Sequence, residues 1–478
     1  MERTDHYSVL AAQPPFDVWL TISHHLSIKD IESLRATSRL LRAFMDERSV
    51  WHAALLDVLS VKPQPHLHAD VPQMRAGELR AACLRAAKVE EAFARGALAP
   101  RPVAATRGDF VQVRLLPGGA RYVAVSACGN LELRHVGEGK ALASTGAPEQ
   151  RPTHTDVRIL PIGREDVIIL QALHWNSDPD YDGATDIEFR IYTSCSDHNL
   201  SLLCTCRPEA ARNIVDYGIY STEDVIALVY LRGRYERQFI VEIQYLSKDG
   251  EQRENTTARL RGWVMCSYMQ DFLPLFGSVS LLSPRRLLLA AAEGIYLYDI
   301  PKNPTTSSSC SPDGLIDLRP IWTTYSRWLT RTPIISAPAL SDGPNPRARC
   351  MLWTGKDIFE LDFPLGPVTD DSRYMLHVIH TQYNHAPIYL GYSVGIQHPQ
   401  SAKKMPTPAF SLAYGFGCEP GHVRLGREGS CIKKARLEKE HVLLDGIDSV
   451  GDLSVDEFSG TLSVLDGSTG HLQIYDIL

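Results

Sequence analysis

Four stretches of this sequence carry residue types at spacings that could do chemistry. Asp178-Pro179-Asp180-Tyr181-Asp182-Gly183-Ala184-Thr185-Asp186 sets carboxylates around a glycine. Calcium takes about six to eight oxygen ligands gathered by a tight turn, so Asp178, Asp180, Asp182 and Asp186 are candidate ligands for a hard cation. Phe189 stands where an EF-hand would place its bidentate glutamate, and no helical pattern flanks the loop. A solvated acidic turn between two strands is the plainer reading, and no metal is expected. Gly391-Tyr392-Ser393-Val394-Gly395 has the form of a nucleophile elbow, but an elbow needs a helix after the serine, and Pro399 and Pro406 follow instead. Cys195, His198, Cys204 and Cys206 lie close together without the spacing of four tetrahedral zinc ligands, and Cys204 and Cys206 alternate onto one strand face as buried thiols would. Gly415-Phe416-Gly417-Cys418-Glu419-Pro420-Gly421 misplaces the third glycine of a dinucleotide loop and lacks a surrounding βαβ unit. The sequence therefore predicts neither catalysis nor a cofactor.

Composition narrows the class further. Of 478 residues, 44% are hydrophobic and 22% charged, enough apolar mass for more than one core. Lys and Arg total 49 against 56 Asp and Glu, so no basic excess exists to neutralise a phosphate backbone, and nucleic acid is not an expected partner. The N-terminus MERTDHYSVL lacks the apolar segment of a secretory signal, and the longest apolar runs are too short to span a bilayer. An intracellular protein, cytoplasmic or nuclear, with reduced cysteines is expected.

Two hydrophobic periodicities divide the chain. From residue 12 to 59, apolar residues recur at helical spacing: Val18, Ile22 and Leu26 make one stripe, and Ile31, Leu34, Leu41 and Met45 another. Pro15 suits a first helical turn, Ser27-Ile28-Lys29-Asp30 reads as a capping box, and Trp51 anchors a further short helix. Residues 60–100 read as a linker with a connecting amphipathic helix over 76–95, whose apolar side holds Leu79, Cys83, Ala86 or Ala87 and Phe93, with Gly96 placed to cap it.

The run Pro15-Phe16-Asp17-Val18, Ile22, Leu26-Ser27, Asp30-Ile31, Leu34-Arg35-Ala36-Thr37-Ser38-Arg39-Leu40-Leu41 and Val50-Trp51 resembles an F-box. The connecting helix is similar to one that follows the F-box in fungal F-box proteins. The resemblance implies docking on the adaptor subunit of an SCF-type cullin-RING ubiquitin ligase. Pro15, Phe16, Leu20, Ile22, Leu26 and Ile31 are then candidates for the docking surface or its supporting core.

From residue 101 to 478 the period changes to two, with short runs of Val, Ile, Leu and Tyr punctuated by Gly, Pro, Asn and Asp. Hairpins are predicted at 122–126 with 131–135, 166–173 with 187–193, 225–231 with 238–245, 286–292 with 295–300, 350–354 with 358–361, and across 453–476. Such units recur roughly every fifty residues, which suits a six- or seven-bladed β-propeller better than the alternative, an array of β-sandwiches. The C-terminal run 471–478 could close such a ring by pairing with an early strand.

The expected fold class is multidomain, a small all-α module followed by a large all-β domain. The expected function is non-enzymatic: a substrate receptor for protein ubiquitination that holds the ligase adaptor at one end and a client protein at the other. The alternative is a propeller scaffold with a degenerate F-box, and a propeller hydrolase using the acidic loop is a more distant rival.

Overall fold

The computed structural model describes residues 15–59, 67, 70–95, 100–138, 140–162, 166–176, 185–194, 199–208, 214–221, 225–233, 238–247, 256–263, 276–283, 285–291, 294–301, 316–325, 334–336, 338–341, 347–353, 358–366, 375–380, 387–390, 394–397, 409–414, 442–443 and 450–478. The N-terminal part is helical: α1 (Phe16–Ser23), α2 (Ile28–Thr37), α3 (Arg39–Met45), α4 (Arg48–Leu59) and α5 (Ala76–Arg95). The Ser27 hydroxyl accepts from the Asp30 amide at 3.1 Å while the Asp30 carboxylate accepts from the Ser27 amide at 3.3 Å, a reciprocal cap for α2.

Two helix boundaries differ from the expectation. Pro15 sits one residue before α1 as its N-cap, and the stripe from Ile31 to Met45 is broken at Ser38. That serine is extended, and its hydroxyl accepts from the Leu41 amide at 3.1 Å, so it ends α2 and starts α3. The connecting helix packs into the helical module. Leu79, Cys83, Ala86 and Ala87 of α5 share one core with Ile28, Ile31, Met45, Trp51, Leu55 and Val58. Fusing α5 to the smaller helices enlarges a core that would be marginal alone.

Among the described residues the β region forms seven sheets, antiparallel except that Ile316–Asp317 joins the third in parallel with Thr256–Trp263. The first strands of the sheets are Phe110–Leu115, His154–Ile162, Ile214–Ser221, Phe276–Ser283, Ile334–Ile335, Pro387–Leu390 and Val450–Asp456. The seventh sheet takes its outer strand from the start of the domain: Arg101–Thr106 pairs with Leu472–Asp476, Thr106 opposite Leu472. Strand 450–456 contacts 110–115, which contacts 154–162, and contacts continue through 214–221 and 276–283 to 334–335, while 387–390 returns to 450–456. Apolar layers lie between consecutive sheets. Val113, Tyr122 and Ala124 meet Leu465 and Ile474; Val125 and Leu133 meet Val167 and Ile169; Phe189 and Ile191 meet Leu228 and Tyr230. Similar layers join the third sheet to the fourth and the fourth to the fifth. Sheets stacked face to face around their first strands make a β-propeller, a design that leaves few open strand edges.

The helical module is seated on the seventh sheet. Phe458, in the turn after Val450–Asp456, enters the helical core, and the Arg85 side chain on α5 donates to the Ser459 carbonyl at 2.8 Å. Gly460 follows at φ +73°, and a side chain there would come within 2.8 Å of Val89 on α5, so glycine is required both by conformation and by space. Trp51 is fully buried at the centre of the helical core. Trp51→Ala should cost about 3–5 kcal/mol in chemical denaturation of the helical module. The near-ultraviolet signal of the β region should persist to higher denaturant.

Candidate functional site: two opposite faces of the propeller

The first strands carry a repeated four-residue pattern: Gln112-Val113-Arg114-Leu115, Asp156-Val157-Arg158-Ile159, Asp216-Tyr217-Gly218-Ile219, Ser278-Val279-Ser280-Leu281 and Asp452-Leu453-Ser454-Val455. In the first, third, fourth and seventh sheets a break in register falls just before the polar residue. A bulge re-aims the side chain that follows it. The polar side chains reach the neighbouring sheet. Asp452 accepts from the Val113 amide at 2.8 Å and from Arg114 at 2.6 Å, and the Ser454 hydroxyl accepts from the Leu115 amide at 3.0 Å. Asp216 accepts from the Val279 amide at 2.7 Å, from the Ser278 hydroxyl at 3.0 Å and from Arg158 at 2.9 Å.

Asp156 is the junction of this network. It accepts from Gln112 at 2.8 Å and from the Tyr217 hydroxyl at 2.6 Å, and Arg158 lies over the Tyr217 ring at 4.3 Å. Burial pushes the Asp156 carboxyl up, but the Arg158 and Arg114 charges and the two hydrogen bonds outweigh it and hold the group well below the usual carboxylate range. Burial, with Asp156 beside it, raises the Tyr217 hydroxyl well above its usual value. His174, whose ring is 5.4 Å from that of His154, is pushed down by burial and by that neighbour, which favours its neutral form.

A cavity of 660 Å³ opens beside these residues, lined by Val111, Gln112, Arg151, His154, Thr155 and Asp452 among others. It lies at the start of the first strands, whereas the helical module sits at the end of one of them. From Asp452 the strand Val450–Asp456 runs on to Asp456, about 13 Å at the rise of a strand, before the turn that carries Phe458. The propeller therefore presents the cavity on one face and the helices on the other.

On the helical face, the six residues implicated by the F-box resemblance divide. Ile31 is wholly buried and supports the core; Phe16, Leu20 and Leu26 are half-buried; Pro15 and Ile22 are exposed. Phe16 and Trp19 of α1 stack on Phe44 of α3 with ring centres 5.9 and 6.2 Å apart, fixing the two helices together. That pair of helices leaves Val18, Ile22 and Leu40 exposed at 42%, 36% and 39%. Val18 and Leu40 belong with this apolar set, and their exposure follows from packing that sequence periodicity does not reveal.

Of the acidic-loop residues, Asp178, Asp180 and Asp182 lie outside the described residues, and Asp186 is exposed on strand Thr185–Ser194 opposite Trp175. Ser393, Cys195, His198 and the glycines of 415–421 also lie outside the described residues, although Val394–Gln397 after Ser393 is a strand. Cys204 and Cys206 stand on strand Leu200–Cys206, and burial pushes the Cys204 thiol up to about 11, away from the reactive thiolate.

No family model matches the chain, and no curated protein matches it. Among solved structures, it is similar to the β-propeller domain of Cps50 (Swd1) from Myceliophteria thermophila, with 12% identity, a TM-score of 0.43, and coverage of 80% of this chain and 100% of that one. It is similar to the C-terminal WD40 domain of Sif2 at 10% identity and a TM-score of 0.38, covering 79% of this chain and 98% of that one. Raptor from Chaetomium thermophilum shows 8% identity and a TM-score of 0.43, with 97% of this chain aligned to 40% of that protein. The strand pairing and the stacking of the sheets carry the assignment to the β-propellers; these scores add nothing to it.

The depressed Asp156 carboxyl stabilises the fold above the unfolded carboxylate value near about pH 4, and that contribution is lost as pH falls toward the lower folded value. Asp156→Asn should be less stable than the wild type at neutral pH. The difference should shrink by about 1–3 kcal/mol on acidification below pH 4, measured by urea unfolding across pH.

Proposed function

We propose that this chain is a non-catalytic substrate receptor of an SCF-type cullin-RING ubiquitin ligase, working in the cytoplasm or nucleus. Its helical module docks on the adaptor subunit, and the opposite propeller face holds the client. We further propose that the seven sheets are seven blades of a closed ring, with strand Arg101–Thr106 as the clasp in the last blade.

The observation that carries this reading is the exposed apolar set Val18, Ile22 and Leu40 on a helical module whose own core is already complete. A small helical surface of this kind suits recognition by a few apolar anchors on a partner. Mounting it on the seventh sheet through Phe458 and Arg85 points the client face away from the ligase. The client would then be held at high effective concentration near the ubiquitin-transferring subunits.

Purified chain should bind a recombinant cullin-ligase adaptor in surface plasmon resonance. The double variant Val18→Asp, Ile22→Asp should weaken binding by about tenfold or more while circular dichroism stays unchanged, since both side chains are exposed. Wild-type protein that fails to bind the adaptor would overturn the ligase role.

A further inference from the structure

The cavity at the first, second and seventh sheets has acceptors without donors. Gln112 is only 8% exposed, and its side-chain nitrogen donates to the Asp156 carboxylate, which can only accept. That contact fixes the amide orientation, so Oε1 is the free end, and it has no hydrogen-bond partner among the described residues. Leaving a buried acceptor unpaired is costly, and such groups are rare in finished structures. On the same cavity, both donors to Asp452 reach one oxygen, Oδ2, and no donor among the described residues reaches Oδ1.

The cavity also holds a group of opposite character. Arg151 donates through Nε to the Ala127 carbonyl at 3.1 Å, and its two terminal nitrogens have no partner among the described residues. Arg114 is committed to Asp452 and the Val113 carbonyl, and Arg158 to Asp216, so neither competes for a ligand there. Thr153, His154 and Thr155 also line the wall.

We propose that this cavity binds a client peptide segment in which a basic side chain adjoins an acidic one. The ammonium or guanidinium donates to Asp452 Oδ1 beside the Gln112 amide, and the carboxylate pairs with the Arg151 guanidinium edge, where bidentate contact is strong. The proposal rests on the assignment of this face to the client, and it supplies that face with a charge code. A volume of 660 Å³ accommodates a few side chains rather than a folded domain.

The test uses the full chain and four blocked tetrapeptides, Gly-Lys-Glu-Gly, Gly-Lys-Gln-Gly, Gly-Gln-Glu-Gly and Gly-Gln-Gln-Gly, titrated by calorimetry at low salt, with Gly-Arg-Glu-Gly separating guanidinium from ammonium. Gly-Lys-Glu-Gly should bind tightest, and each neutral replacement should weaken it by about two- to fivefold, the range of a partly exposed charge pair. Arg151→Gln, an exposed change, should remove the preference for Glu while leaving that for Lys. Asp452→Asn should do the reverse. Equal binding of all four peptides, no binding of any, or variants that leave both preferences intact would overturn the proposal. Adaptor binding measured on the same preparations separates that failure from failure of the receptor role, since the two surfaces lie on opposite faces.

Discussion

Neighbouring sheets in this protein are tied together by polar side chains that cross from one first strand to the next. Asp452 reaches the Val113 amide and Arg114, Ser454 reaches the Leu115 amide, and Asp216 reaches the Val279 amide and Arg158. A first strand packed near the centre of stacked sheets exposes backbone donors on the side away from its hairpin partner, and these must be satisfied. Carboxylates placed one residue beyond a bulge meet that demand. Removing one member of such a group strands its partners, which costs far more than the pair contributes in net terms.

The same arrangement shapes the surface. Because the polar residues stand near the beginning of five of the first strands, one face of the propeller is rich in charged and hydrogen-bonding groups, and the cavity forms there. At the other end of the strand in the seventh sheet, the chain turns through Phe458 and Gly460 into contact with α5. One strand thus spans both working faces, with Asp452 serving the cavity and the following turn serving the helices.

Much of the architecture was legible in the chain. The capping residues Ser27 and Asp30, the helix over 76–95 and the hairpins of 166–193 and 453–476 follow from local rules of capping, period and turn chemistry. The break at Ser38 was missed because an apolar stripe can run across two helices that share a core, whereas the hydroxyl cap that divides them is visible only in the backbone. The division of the residues singled out by the F-box resemblance into Ile31 in the core and Ile22 at the surface was likewise hidden, since both are apolar and both lie on helical stripes. The repeat from Gln112 through Asp452 was readable in principle as a polar residue ahead of an alternating apolar pair. Its spacing is too irregular, and its polar member too variable, for it to stand out without the sheets aligned.

By itself the sequence determined two modules, a helical one and a β one, because hydrophobic period and turn residues act over a few neighbours. Only the tertiary structure decided that Arg101–Thr106 belongs to the last sheet, that α5 completes the helical core, and that Gln112, Arg151 and Asp452 meet at one cavity. Those contacts join residues up to several hundred positions apart, and they are fixed by the packing of whole sheets rather than by any signal local to the residues that make them.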